Sequence, residues 1–250
     1  DIILTSNFFI QKKLSKNNID TKYIPPIYQH KKMKQINTNQ KKEQLLIHEN
    51  YFDLSQEYLI LKPMLQKLEI YAEENVLTIS YIHKELKKTK YPHTDDYELM
   101  LFIYTQLLTQ ITLKNIDSKN LNVKLLGSNW EKYNLSQIKQ IKPTLSKIKS
   151  MYQNSKYILH LSSSIIDSRL FKILASDAIP VIYDTRYEDN YYNKFFDDYC
   201  LFFKNKKELN EILKKELVPK KNNINELLSY YSFKDLALDI CSQIHNRNKN

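Results

Sequence analysis

Asn154-Ser-Lys-Tyr-Ile-Leu-His-Leu-Ser-Ser-Ser-Ile-Ile-Asp-Ser-Arg169-Leu-Phe-Lys-Ile-Leu-Ala-Ser-Asp-Ala-Ile-Pro180-Val-Ile-Tyr-Asp184-Thr-Arg-Tyr-Glu188 reads as strand, polar loop, helix, strand, polar loop. Tyr157–Leu161 is a short apolar run that Ser162, Ser163 and Ser164 break. Ser168–Ser176 places Leu170, Ile173 and Leu174 on one helical face, and Ile179–Tyr183 is a second apolar run. Pro180 stands near the start of that run, where its missing N–H is tolerated. In an open parallel sheet, ligands sit outside the carboxyl ends of the strands. Here both ends carry hydroxyls and charge: Ser162, Ser163, Ser164 and Arg169 at one, Asp184, Thr185, Arg186 and Glu188 at the other. A phosphorylated ligand is expected there.

The same alternation extends outward. Ile2–Thr5 and Lys22–Ile24 read as strands around a helix at Phe8–Lys16, and a polar, lysine-rich linker follows. Leu45–His48 is a short buried strand. Leu54 to Ala72 has helical spacing, Val76–Ile82 reads as the next strand with a basic loop His83–Lys90 behind it, and Asp95–Leu113 is a second amphipathic helix. Asp95, Asp96 and Glu98 suit the positive end of that helix. Further strands are expected at Asn122–Leu126, Ile138–Ile141 and Cys200–Phe203. Helices are expected at Pro143–Gln153, Asp189–Phe196, Lys206–Glu216, Ile224–Tyr231 and Phe233–Ile244. Strands alternating with helices predict βαβ units and a parallel sheet covered on both faces.

The chain has 250 residues, 42% of them hydrophobic, which is enough for one sizeable core. It begins at Asp1 and reads as a fragment of a longer protein. No apolar run reaches membrane-spanning length, and Cys200 and Cys241 fit neither a metal nor a redox spacing, so a cytoplasmic setting is expected. The net charge of +10 comes from lysines scattered along the whole chain. Nucleic-acid binders cluster such charge on one face, so no nucleic-acid partner is expected. The excess still favours anionic lipid and nucleotide phosphates, which allows a peripheral position at the inner membrane face. The one glycine, Gly127, excludes a P-loop and any G-x-G-x-x-G cradle. Phosphates would instead meet helix N-termini, hydroxyls and basic side chains.

Arranged this way, the chain resembles the C-terminal half of a GT-B glycosyltransferase, nearest to the CgeB-like (spore protein) group of the family-1 enzymes. The residues that carry the resemblance are Met151-Tyr-Gln-Asn-Ser-Lys156, Ser168-Arg-Leu-Phe-Lys-Ile-Leu-Ala, Ile179-Pro-Val-Ile-Tyr-Asp184 with Glu188 behind it, and the turn Gly127-Ser-Asn-Trp130. It is specific over residues 122–205 and diffuse elsewhere. It implies an α/β, Rossmann-like parallel sheet flanked by helices over residues 45–250, a linker at 31–44, and a remnant of the preceding Rossmann-like domain at 1–30. It further implies a nucleotide-sugar as donor substrate, a glycan or protein acceptor, no separate cofactor and no metal. Two positions depart from the family pattern. Lys172 stands where these enzymes carry an acid, and Asp177 or Ala178 stands where they carry a glycine. The first departure leaves open a degenerate domain that binds nucleotide or glycan without turnover.

Transfer from a nucleotide-sugar builds negative charge on the leaving diphosphate, and preorganised positive donors lower that barrier. Arg169 and Lys172, one helical turn apart, are the candidates for this role; the alternatives are a surface pairing of Arg169 with Asp167 and a solvated Lys172. Ser162, Ser163 and Ser164 either donate to phosphate or cap the helix. The resemblance gives Glu188 contacts to ribose or sugar hydroxyls, the alternative being an exposed loop acid beside Arg186; Asn129 and Trp130 are candidates for contact with the base, and Trp130 could equally close the core. His48 and His83, each expected behind a strand, complete the substrate-binding candidates. His83, His93 and Asp95 lack a ligand spacing for metal.

Overall fold

The computed structural model describes residues 3–5, 21–23, 43–50, 59–92, 94, 96–116, 121–130, 139–142, 144–162, 167–186 and 194–220. Two strands, β1 (Ile3–Thr5) and β2 (Thr21–Tyr23), pair in parallel as a sheet of their own. Six more form the main sheet: β3 (Glu43–His48), β4 (Val123–Leu126), β5 (Lys139–Ile141), β6 (Ser155–His160), β7 (Ile179–Tyr183) and β8 (Leu201–Phe203). Their order is β5-β4-β3-β6-β7-β8 and every pair is parallel. The chain winds outward from β3 through β4 and β5, returns past β3 to β6, and winds the other way through β7 and β8. The strand order therefore reverses between β3 and β6.

Both faces are buried, which is why the strands are apolar at consecutive positions. Leu45, Ile47, Val123, Leu125, Tyr157, Leu159, Val181 and Tyr183 face one core, covered by helices α1 (Lys62–Glu74), α2 (Ile79–Leu86), α3 (Tyr97–Asn115) and α6 (Lys206–Lys214). Leu46, Leu126 and Ile158 face the other, under α4 (Leu145–Asn154) and Ile173 of α5 (Ser168–Ala175). Helix α3 buries Leu99, Met100, Ile103, Tyr104, Leu107, Leu108 and Ile111. Such wide apolar cover suits a helix lodged between sheet and neighbours.

Val76–Ile82 is not a strand. Its second half opens helix α2, whose N-cap is Thr78: the hydroxyl accepts from the Tyr81 N–H at 3.0 Å. Ile79, Ile82 and Leu86 then fall on one buried face at helical spacing. The β-branched composition of the segment disguises that period. His83 lies in the last turn of α2, not behind a strand, and the regular elements described between β3 and β4 are helices. Glu85, also on α2, is gripped by Lys67 of α1 and by Lys88, each at 2.6 Å. Most other elements lie within two residues of their expected bounds. The expected helices at Phe8–Lys16, Ile224–Tyr231 and Phe233–Ile244 lie outside the described residues, as do the start of the helix expected from Leu54 and most of Asp189–Phe196. Lys194–Asp198, at the end of the latter, is a 3-10 turn.

The turn from α5 into β7 explains one departure from the family pattern. Asp177 has φ 58°. Its N–H bonds the Leu174 carbonyl at 3.0 Å, and the Ala178 N–H bonds that of Ile173 at 3.4 Å. This is a Schellman cap, whose left-handed residue is commonly glycine. Asp177, not Ala178, occupies the glycine position, and aspartate is among the side chains that tolerate it.

Candidate functional site

The point where strand order reverses is where an open α/β sheet binds its ligand. In this chain it is flanked by the end of β3, with His48, Glu49 and Asn50, and by the loop from β6 into α5. Pairing of Ile47 with Leu159 puts His48 level with His160 one position on, both on the α4–α5 face. His160 is fully buried, its Nε2 3.6 Å from an Asp167 oxygen. His48 Nδ1 meets the Tyr152 hydroxyl at 2.9 Å, with the two rings edge to face.

Burial, aided by the charges of Arg169 and Lys172, lowers the His48 pKa to about 4, and burial pushes the Tyr152 phenol up to about 12. Both groups are therefore neutral at pH 7. The unfolded chain takes up a proton on this histidine near 6.5, while the folded chain resists until about 4. Stability is thus undiminished by His48 above 6.5 and falls as pH drops from 6.5 toward 4. The loss is at most about 3 kcal/mol at one kcal-scale step per pKa unit. Urea midpoints measured between pH 7 and 4.5 should fall less steeply for His48→Gln than for the unmodified chain. Equal slopes would show that His48 does not resist protonation.

Helix α5 begins on its own carboxylate. Asp167 accepts from the N–H groups of Arg169 at 2.8 Å and Leu170 at 2.9 Å. The sequence points these helix-end donors at phosphate, but the cap already occupies them and sets a negative charge beside them. Side chains are what the helix still offers. The Arg169 guanidinium does not pair with Asp167; it donates through Nη1 to the Glu49 carboxylate across the switch point. Glu49 is 8% exposed and Arg169 31%. Burial pushes the Glu49 carboxyl up against the pull of Arg169. Lys172 is exposed one turn further along α5.

Glu49 also fixes the end of β4. Its carbonyl accepts from Trp130 Nε1 at 2.6 Å. Asn50 adds two bonds, its Oδ1 to the Ser128 N–H at 2.9 Å and its carbonyl to Gln106 Nε2 at 3.0 Å. The approach is so close that a Cβ on Gly127 would lie 1.8 Å from the Glu49 carbonyl oxygen. Trp130 is 1% exposed and closes the core under this turn, while half-buried Asn129 sits at φ 65°. The indole thus has no open face for a base.

The end of β7 is braced differently. Arg186 grips Asp184 with two bonds of 2.7 and 2.8 Å, reaches Asp197 at 2.8 Å and stacks 4.1 Å above the Phe202 ring. It serves as a clip within the loop. Thr185 is buried, with no hydrogen-bond partner for its hydroxyl among the described residues.

The structure thus gathers Arg169, Lys172 and His48 at the switch point, with Ser162 just beyond β6. Ser163, Ser164 and Glu188 lie outside the described residues, and His83 stands on α2. Two contacts of the cluster escape a sequence reading: that of Glu49 with a residue 120 positions away, and that of Tyr152 with His48, 104 positions away. Nothing local marks either contact. Among the described residues, no three His, Cys, Asp or Glu side chains stand together as metal ligands, and no helix is long and apolar enough to cross a membrane.

Residues 106–224, just under half of the chain, match the family model described as Glycosyl transferase-like. The matched segment holds Gly127–Trp130, Tyr152 and the whole of α5. Among solved structures, the sucrose-phosphate synthase of Thermosynechococcus elongatus superposes with a TM-score of 0.52 at 9% identity, over 99% of this chain and 58% of that one. The pneumococcal O-GlcNAc transferase GtfA (TM-score 0.45, 11% identity, 98% of this chain and 44% of that one) and TarM (0.42, 11%, 96% and 42%) are more distant. No curated protein matches in sequence. The fold is α/β and Rossmann-like, a parallel sheet flanked by helices, and it is shared with the sucrose-phosphate synthase; the chain spans well under two thirds of the length of these structures.

Proposed function

We propose that this chain is the donor-binding part of a GT-B glycosyltransferase that moves a sugar from a nucleotide-sugar to a glycan or protein acceptor. One observation carries the reading: a guanidinium and an ammonium, one turn apart on α5, stand at the switch point of a parallel sheet, within the segment that matches a glycosyltransferase family. As the glycosidic bond to the donor phosphate breaks, negative charge grows on the departing diphosphate. Arg169 keeps one nitrogen on Glu49 and offers its other N–H groups, while Lys172 supplies a second positive charge. Both are in place before reaction, so little reorganisation opposes the developing charge. Neutral His48 adds a polar ring without adding charge.

Within the glycosyltransferases, the Gly127–Trp130 turn, the Tyr152-to-Lys156 join and the α5–β7 segment favour the CgeB-like group. A cytoplasmic setting belongs to the same proposal, with the net charge of +10 favouring anionic lipid at the inner membrane face. Thermal melting against UDP-, GDP- and CMP-sugars tests the proposal. A ligand present at about a hundred times its Kd stabilises by about 2.7 kcal/mol, which for a domain of this size is a rise of about 5–10 °C. Release of free nucleotide from the binding donor then shows turnover. No shift with any donor would refute the reading, and binding without release would refute the enzyme.

A further inference from the structure

The cluster contains a buried acid that donor binding does not obviously require. Glu49 is 8% exposed just beyond β3, where an unpaired carboxylate is costly. Its carboxylate is joined to Arg169 at the start of α5, and its backbone carbonyl holds Trp130 at the end of β4. One residue therefore links the end of β3, the β4 turn and the start of α5. Arg169 makes no other side-chain bond among the described residues. Without Glu49, a long arginine side chain, about a third exposed, would sample many rotamers. Ordering such a side chain at the moment of binding costs conformational entropy and so weakens affinity.

We propose that Glu49 is a positioning residue: it holds the Arg169 guanidinium by one nitrogen so that the remaining N–H groups face the diphosphate of the donor. This rests on the donor-binding function proposed above and adds to it the group that aims the cation. The contact is one-sided, through Nη1, and so leaves the other edge of the fork for phosphate oxygens. The same contact has an opposite reading, with the carboxylate occupying the anion site and competing with phosphate. The one-sided grip favours aiming over blocking, and the two roles predict opposite signs.

The test is Glu49→Gln, which keeps size, the backbone carbonyl that serves Trp130, and an oxygen that can still accept from Arg169. Calorimetric titrations of the full chain use UDP, GDP and CDP, each beside its nucleoside, uridine, guanosine or cytidine. For the diphosphate that binds the unmodified chain, Glu49→Gln should weaken affinity about tenfold, which corresponds to about 1.4 kcal/mol. Affinity for the matching nucleoside should stay within about twofold, because a nucleoside has no phosphate for Arg169 to meet. Glu49→Asp, which keeps the charge, should recover part of the loss. Equal weakening of diphosphate and nucleoside would mean that Glu49 merely supports the fold, and would overturn the proposal. Unchanged or tighter diphosphate binding would overturn it as well, the latter by showing that the carboxylate competes. If no diphosphate binds the unmodified chain, the donor reading itself falls and takes this role with it. That result is distinct from a normal wild-type titration that Glu49→Gln leaves intact.

Discussion

Gly127→Ala should cost about 3 kcal/mol or more of stability, the upper range for forcing atoms into a packed interior. The added Cβ would lie 1.8 Å from the Glu49 carbonyl oxygen, 2.7 Å from its carbon and 2.8 Å from Trp130 Nε1. Two of these three are backbone atoms and cannot swing aside. Relief requires the β4 turn to pull away from β3, which would break the Trp130-to-Glu49 bond and leave a buried acceptor unsatisfied, at a further cost of about 1–3 kcal/mol. The lowered midpoint would appear in urea or thermal unfolding. Trp130→Phe is the informative companion, since it removes the bond but adds no clash; it should lose less than Gly127→Ala. A fully stable Gly127→Ala chain would show that the two loops are not packed as described.

Arg169→Ala should abolish detectable nucleoside-diphosphate binding and also destabilise the fold by about 3 kcal/mol. The second effect follows from leaving the buried Glu49 carboxylate without its counter-charge. The figure is at the low end because Arg169 is partly exposed and solvent screens the pair. Burial already pushes the Glu49 carboxyl above its ordinary value of 4.5, and loss of the guanidinium would push it further. A carboxyl with a raised folded-state pKa is tolerated below its unfolded value and becomes a growing liability as pH rises through the folded value. The stability deficit of Arg169→Ala should therefore be small at pH 4 and full at neutral pH. Adding Glu49→Gln to the same chain should restore most of the stability but none of the binding. That separation distinguishes a lost ligand contact from a damaged fold. Retained diphosphate affinity in the stabilised double variant would remove Arg169 from the site.

The legible and the hidden parts of this molecule divide along a physical line. The strand–helix–strand run from Ser155 to Tyr183 is readable because its burial is dictated by neighbours a few residues apart: apolar at consecutive positions for a strand covered on both faces, apolar every third or fourth for a helix covered on one. Thr78 shows where that reading slips. A single hydroxyl cap and three buried apolar side chains at Ile79, Ile82 and Leu86 turn a β-branched stretch into helix α2, and the choice depends on what α1 and α3 present to it. The candidate site divides in the same way. Arg169 and Lys172 are visible as cations on a helix behind a strand end. Their electrostatic setting is not, because the Asp167 cap, the Glu49 carboxylate and the His48–Tyr152 contact are made in space.

From its own letters the chain determined a parallel α/β sheet, the location of its polar strand ends and the cations placed there, since periodicity and composition are local properties. Only the tertiary structure decided that strand order reverses between β3 and β6, that Gly127 lies against the Glu49 backbone, and that Arg169 answers to Glu49 and not to Asp167. Those facts depend on which distant segments become neighbours. Contact between residues 120 positions apart is settled by how the whole sheet is stacked, and no local pattern encodes it.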